Sequence, residues 1–210
     1  MDLYTYKITR DYGFAPNPYF GFCTLATCKP KIRKKCNIGD WIAGFGGQNT
    51  VAAGKLVYLM QVNEKLTFDE YWNDPRFQKK KPIFTKSIKY CYGDNIYHHN
   101  ENGNWLQEDS HHSLEDGINY LNLERDTSVN KVVISKNYWY FGKDAIKLCD
   151  ELSVIIPKNR GHRRFVNTEA EEYIVNLLNY INDNKYSSGI RGLPFSWNSK
   201  TRFKRYKGEN

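Results

Sequence analysis

The chain has 210 residues, 40% hydrophobic and 15% aromatic, with 16 tyrosines and 5 tryptophans. That composition excludes disorder of the low-hydrophobicity kind and suits one domain, or a domain with an elaborated edge, around a sizeable core. Thirty-one Lys and Arg against 23 Asp and Glu give a formal charge of +8, which favours polyanionic partners without identifying one.

LYTYKIT, residues 3–9, alternates bulky and polar side chains and reads as a first strand. RDYGFAPNPYFGF, residues 10–22, is broken by prolines, glycines and Asn17 into a loop pinned by its aromatics. In CKPKIRKKC, Pro30 suits the first turn of a short helix that Gly39 would end, and WIAGF follows as a strand. LVYLMQV, residues 56–62, is apolar on both faces and reads as a doubly buried strand. Thr67 and Glu70 stand at capping-box spacing, predicting a short helix that stops before Pro75. Residues 78–112 carry no clear period. SLEDGINYLNL predicts a helix from Ser113, KVVISKNYWYFG two strand pieces bent at Lys136-Asn137, and LSVII a last strand before Pro157. From Thr168 to about Lys185, Ile174, Leu177, Leu178 and Ile181 recur at helical spacing, with Thr168 and Glu171 as a second capping box.

Residues 1–186 read as a single domain and 187–210 as a basic tail, draped over the surface or ordered by a partner. Short strands with helices inserted between them favour an α+β fold with a curved, mostly antiparallel or barrel-like sheet. No apolar run is long enough to cross a bilayer, so no membrane association is expected and the protein reads as unexported and cytoplasmic. Its five cysteines are then reduced thiols.

Three of those cysteines, Cys23, Cys28 and Cys36, are spaced C-x4-C-x7-C, without the close pair of a zinc ribbon. Lys29, Lys31 and Arg33 would lower the pKa of a thiol they faced. The segment is ranked first as pocket wall and anion contact, second as nucleophile and third as metal ligand, and no metal or cofactor is assigned. Lys29 and Arg33, four apart, can share a helix face toward a phosphate. PKNRGHRRF, residues 157–165, joins a glycine to Arg160, His162 and Arg163 ahead of the long helix, a pattern suited to an anion. Tyr138 and Tyr140 share one face of YWYFG and could stack a base. His98, His99, His111 and His112 fall in polar stretches read as exposed loops. GFGGQNTVAAGKL fits neither a P-loop nor GxGxxG.

The order GFAPNP, CTLATCKPKIR, GDWIAG, DPRF, GDNIY, ISKNYWYFG, RGHRR resembles the nucleotide modification associated domain 2 (Nmad2) family over residues 3–166. This resemblance implies association with systems that make, alter or recognise modified nucleotides in DNA, and carries no catalytic assignment. The GDW turn entering a strand is similar, at the level of fold, to PUA-like, EVE and YTH domains. Two readings stay open. The first is a module that binds a nucleotide or DNA and holds a modified base, stacking it on Trp41, Tyr138 or Tyr140. Lys29, Arg33, Arg160 and Arg163 would meet phosphates, and Asp11 or Asn17 the base edge. The second is an enzyme with Cys23 as nucleophile or acid, His162 as proton carrier and Asp11 as charged partner. Both expect residues 23–33 and 160–163 to meet around one cavity.

Overall fold

The computed structural model describes residues 1–159, 161–198, 200, 202–206 and 208. In chain order it contains β1 (Leu3–Ile8), β2 (Cys23–Leu25), α1 (Pro30–Lys35), β3 (Trp41–Gly46), β4 (Leu56–Gln61), β5 (Glu64–Leu66), α2 (Phe68–Asn73) and α3 (Ile88–Cys91). There follow β6 (Tyr97–His99), β7 (Trp105–Gln107), α4 (Tyr120–Thr127), β8 (Val132–Ser135), β9 (Tyr138–Tyr140), β10 (His162–Phe165), α5 (Asn167–Asp183) and β11 (Gly189–Ile190). The architecture is α+β, and its chain is shared between two interleaved compact units.

The first unit takes residues 1–12, 36–63 and 135–198. Its six-stranded sheet runs β10-β1-β3-β4-β9-β11. β1 is parallel to β3 and antiparallel to β10, β4 is antiparallel to both β3 and β9, and β9 is parallel to β11. The edge strands β10 and β11 are not paired with each other, so the sheet stays open, unlike the closed barrel that likeness to PUA-like domains implies. Alternation along β9 sends Trp139 toward a core shared with Trp41, Leu59, Phe141 and the α5 residues Ile174, Leu177 and Ile181. The opposite face seats Tyr58, whose hydroxyl donates to Tyr6 at 2.9 Å. Gly44 makes room for it: a Cβ there would stand 2.3 Å from the Tyr58 ring.

The second unit takes the described residues within 13–35, 64–134 and 199–210. It holds a three-stranded sheet, β2-β8-β5, and the β6–β7 hairpin. The Thr67–Glu70 capping box forms at the start of α2 as predicted, each partner bonding the other's backbone. Three expectations change. LSVII is a 3-10 turn at Ser153–Ile155. The helix expected from Ser113 begins at Tyr120, because the Asn119 side chain supplies the cap by accepting from the Asn122 amide at 3.1 Å. Thr168 lies inside the first turn of α5, whose N-cap is Val166 without a side-chain bond, so the second capping box does not form. Among the described residues no helix is long and apolar enough to cross a membrane.

Candidate functional site

Within the second unit, the chain between β2 and α1 turns sharply. Cys28 and Lys29 both adopt left-handed backbone, at φ 58° and 43°, a conformation that costs a non-glycine residue about 1 kcal/mol or more. Two partners hold the turn. The Cys28 amide donates to Asp126 Oδ1 at 3.0 Å, and the Cys28 carbonyl accepts from Arg33 Nε at 2.9 Å. Arg33 is fully buried in α1, and its guanidinium also donates to the carbonyls of Asp126, Val129 (2.9 Å) and Lys131 (2.5 Å). The planar fork of arginine suits such a set of carbonyls, and here it ties the turn to the end of α4.

The turn brings the sulfur of the half-buried residue Cys28 to 3.9 Å from His112 Nε2. His112 Nδ1 donates to Asp126 Oδ2 at 2.6 Å, and that oxygen also accepts from the Tyr97 hydroxyl at 3.0 Å. The His112 carbonyl is pinned by Gln107 Nε2 (3.1 Å) and Asn122 Nδ2 (2.9 Å), which fixes the ring's approach. Thiol, imidazole and carboxylate therefore stand in the order of a nucleophile, its base and the group that orients the base. His112 is pushed up to about 9: burial opposes its charge, but Asp126 and the Cys28 sulfur outweigh burial. Burial also opposes ionisation of Cys28, yet the His112 charge and hydrogen bond outweigh it and bring the thiol below its usual range. Asp126 is held well below the usual carboxylate range by His112, Arg125 and Arg33, against its own desolvation. The Cys28 and His112 shifts both act toward a thiolate–imidazolium pair backed by a carboxylate.

Cys28, His112 and Asp126 can each offer a ligand atom to a metal, all within 4.8 Å of one another. Both Asp126 oxygens are already engaged, Oδ1 by the Cys28 amide and Arg125 Nε, Oδ2 by His112 and Tyr97. A cation would displace those donors and face the Arg125 guanidinium, so the set fits proton transfer better than coordination.

The described part of the basic tail crosses this centre. Tyr206 accepts from Asn122 Nδ2 at 2.7 Å, donates its amide to the His111 carbonyl at 2.6 Å, and sets its ring 5.7 Å from the His112 ring. His111 Nδ1 donates to the Lys204 carbonyl, and Phe203 packs on Tyr92. Residues 113–116 and 203–205 line an open cleft of ≈ 700 Å³.

The histidines are thus not in exposed loops. His111 and His112 are buried, tethered by Asn122 and the tail, and His98 and His99 lie half-buried on β6, bonded to Glu108 (3.0 Å) and Asp69 (2.7 Å). Cys23 is fully buried in β2 beside a polar network. There Lys80 Nζ donates to Asn17 Oδ1 (2.8 Å) and to the carbonyls of Asn17 and Phe22 (both 3.0 Å), while Asp94 accepts from Thr24 (2.6 Å) and Tyr71 (2.8 Å). Asp11 and His162 belong to the other unit. Asp11 is buried, accepts from the Tyr140 hydroxyl at 2.6 Å and from the Phe195 amide at 3.2 Å, and anchors the stretch after β11. His162 is half-buried on β10, 6.2 Å from the Tyr4 ring. Arg163 donates to the Val154 carbonyl and covers Phe165. Trp41 stacks on Trp139 in the core, and Tyr138 is buried. Arg160 lies outside the described residues.

Asp126 was not legible in the sequence as a partner of Cys28 and His112, because it sits in the last turn of α4 with no spacing that links it to either. A cysteine followed by a basic residue and a His-His pair were the legible traces. The family model for nucleotide modification associated domain 2 matches residues 1–201, farther than the motifs from GFAPNP to RGHRR reach and including the whole of α5. No curated protein and no solved structure matches the chain. With its turn, helix and tail geometry in place and all but its last few residues covered by that match, the chain belongs to the Nmad2 family, nucleotide modification associated domain 2.

Proposed function

We propose that the protein is a cysteine-nucleophile enzyme acting on a modified nucleotide or nucleic-acid base, with Cys28, His112 and Asp126 as its reacting centre. One observation carries this reading: Cys28 Sγ at 3.9 Å from an imidazole whose other nitrogen is bonded to a buried carboxylate. The family's name supplies the nucleotide context. The thiolate adds to an electrophilic carbon of the substrate, an S–C bond forms, and the C–X bond breaks as His112 Nε2 gives its proton to the leaving group X. Water then attacks the same carbon, its proton passes to His112, and the thiolate departs. The net reaction is hydrolysis of C–X. Asp126 keeps the imidazole turned toward sulfur and stabilises its charge.

The test is covalent trapping. Wild-type protein, mixed with mononucleotides and short DNA that carry modified bases, gains an adduct on Cys28 by intact and peptide mass, and Cys28→Ser gains none. Iodoacetamide should alkylate Cys28 faster than a free thiol at the same pH, below the ordinary thiol range, since a lowered pKa raises its thiolate fraction. Alkylation no faster than a free thiol at that pH removes the basis of the mechanism. The alternative, a binding module that uses Lys29 at a phosphate without turnover, predicts nucleotide binding that survives Cys28→Ser and no adduct on the wild type.

A further inference from the structure

Two stretches of the second unit are basic and free of acid. Residues 75–93 contain six Lys or Arg and no Asp or Glu, and residues 200–207 contain five and none. They meet through aromatic rings: Phe203 packs on Phe84 at 4.9 Å and on Tyr92 at 5.2 Å, and the Tyr92 hydroxyl accepts from the Lys204 amide at 3.1 Å. Some of these cations are engaged within the fold. Arg76 pairs with Glu64 and Asp74, Lys80 serves Asn17, and Arg205 pairs with Asp109 while lying over both Phe84 and Phe203. Lys86, Lys89 and Lys204 are exposed. The first two are steadied on Tyr90, their ammoniums 5.0 and 5.5 Å from its ring centre. Phe84, two residues before Lys86, is 41% exposed.

A lone exposed Phe is ordinary. An exposed ring set among solvated ammoniums, on segments without a carboxylate, is what an unpaired nucleic-acid strand needs: its bases stack on rings and its phosphates meet cations. A duplex hides the faces of its bases, and an acidic peptide or a lipid headgroup layer offers charge without a flat base to stack. The surface also leads to the reacting centre, because the Lys204 carbonyl accepts from His111 Nδ1 and His112 follows directly. Glu115 and Asp116 line the cleft that Phe203, Lys204 and Arg205 share, and their charge keeps phosphates to the basic side.

We propose that Phe84, Lys86, Lys89 and Lys204 form a docking surface for a single strand of nucleic acid, with a base on the ring and phosphates on the three ammoniums. The surface stands on these contacts alone. It rests on the Cys28 reading for one consequence, that the centre takes its substrate from a polymer and not as a free nucleotide.

Fluorescence anisotropy with the full chain and a labelled single strand of about 12 nucleotides tests it. The strand should bind at least about fivefold tighter than a duplex of the same sequence, whose bases are not free to stack. Its affinity should fall with a slope of about −2 in log K against log salt concentration, as three phosphate contacts on a single strand dictate. Phe84→Ala should weaken binding about five- to tenfold, and Lys86→Glu/Lys89→Glu and Lys204→Glu about tenfold or more. The same sequence as DNA and as RNA separates the two sources of this chemistry. Equal affinity for strand and duplex, with Phe84→Ala unchanged, overturns the proposal. So does heparin that competes as well as unlabelled strand at equal charge, since the surface would then read charge alone. Slow alkylation of Cys28 refutes the nucleophile and leaves this surface standing, whereas absent strand binding refutes the surface and leaves the nucleophile.

Discussion

Replacing Cys28 by serine removes the thiolate and leaves the His112–Asp126 bond in place, and the pH dependence of stability should then change shape. A histidine whose folded pKa is raised lends stability that is complete below its unfolded pKa and is lost as pH rises through the folded value. For His112 the window runs from 6.5 to about 9. At roughly 1.4 kcal/mol for each pH unit, this window spans at most about 3 kcal/mol for a residue this buried. The thiol works in the opposite sense: with its folded pKa lowered, its contribution is present above the unfolded value and is lost as pH falls through the folded one. In the wild type the two act against each other. As pH rises from 6.5 toward 9, the raised His112 keeps a proton in the folded pair while the lowered Cys28 gives one up, so the thiol offsets the His112 slope. In Cys28→Ser only the His112 contribution remains. Its folded pKa falls somewhat without the sulfur, and stability declines with pH by up to about 3 kcal/mol relative to the wild type. Urea denaturation of both proteins at half-unit steps from pH 6 to 9.5 measures this difference, and titrations elsewhere in the chain are common to the two. Parallel curves would refute the thiolate–imidazolium pair.

Lys80→Met leaves the Asp94 carboxylate buried without its cation and should cost about 3–5 kcal/mol, with Lys80→Met/Asp94→Asn recovering part of it, read from urea midpoints. Arg33→Lys exchanges a fork that serves the carbonyls of Cys28, Asp126, Val129 and Lys131 for a single ammonium. It should lose at least about 3 kcal/mol, and iodoacetamide should react more slowly at Cys28 as the turn loosens. Tyr140→Phe removes the 2.6 Å bond to Asp11 and should destabilise by about 2 kcal/mol in thermal unfolding, without changing the pH profile of Cys28 alkylation.

The parts of the fold legible in the sequence were those with a local cause. Pro30 at the head of α1, the Thr67–Glu70 box of α2, the doubly apolar β4 and the bend between β8 and β9 all depend on neighbours within a few residues. The site depended on distance. Cys28, His112 and Asp126 are separated by 84 and 14 positions, and the left-handed turn at Cys28 carries no glycine to announce it. Arg33 shows the same limit: four residues from Lys29 it reads as a partner on one helix face, yet Lys29 lies before α1 and the Arg33 guanidinium is taken up by carbonyls from another part of the chain. Cys23 had the basic neighbours a nucleophile wants, but they lie along the chain, and its own β2 environment is closed.

Lys204 and Tyr206 hold His111 and Asn122 through main-chain atoms, the carbonyl of Lys204 and the amide and carbonyl of Tyr206, and the Tyr206 ring lies against both imidazoles. Attachments of that kind are indifferent to which side chains the segment carries. At Lys204, which takes part through its carbonyl, the roof can therefore be made more basic or less while the floor of sulfur, imidazole and carboxylate beneath it stays as it is.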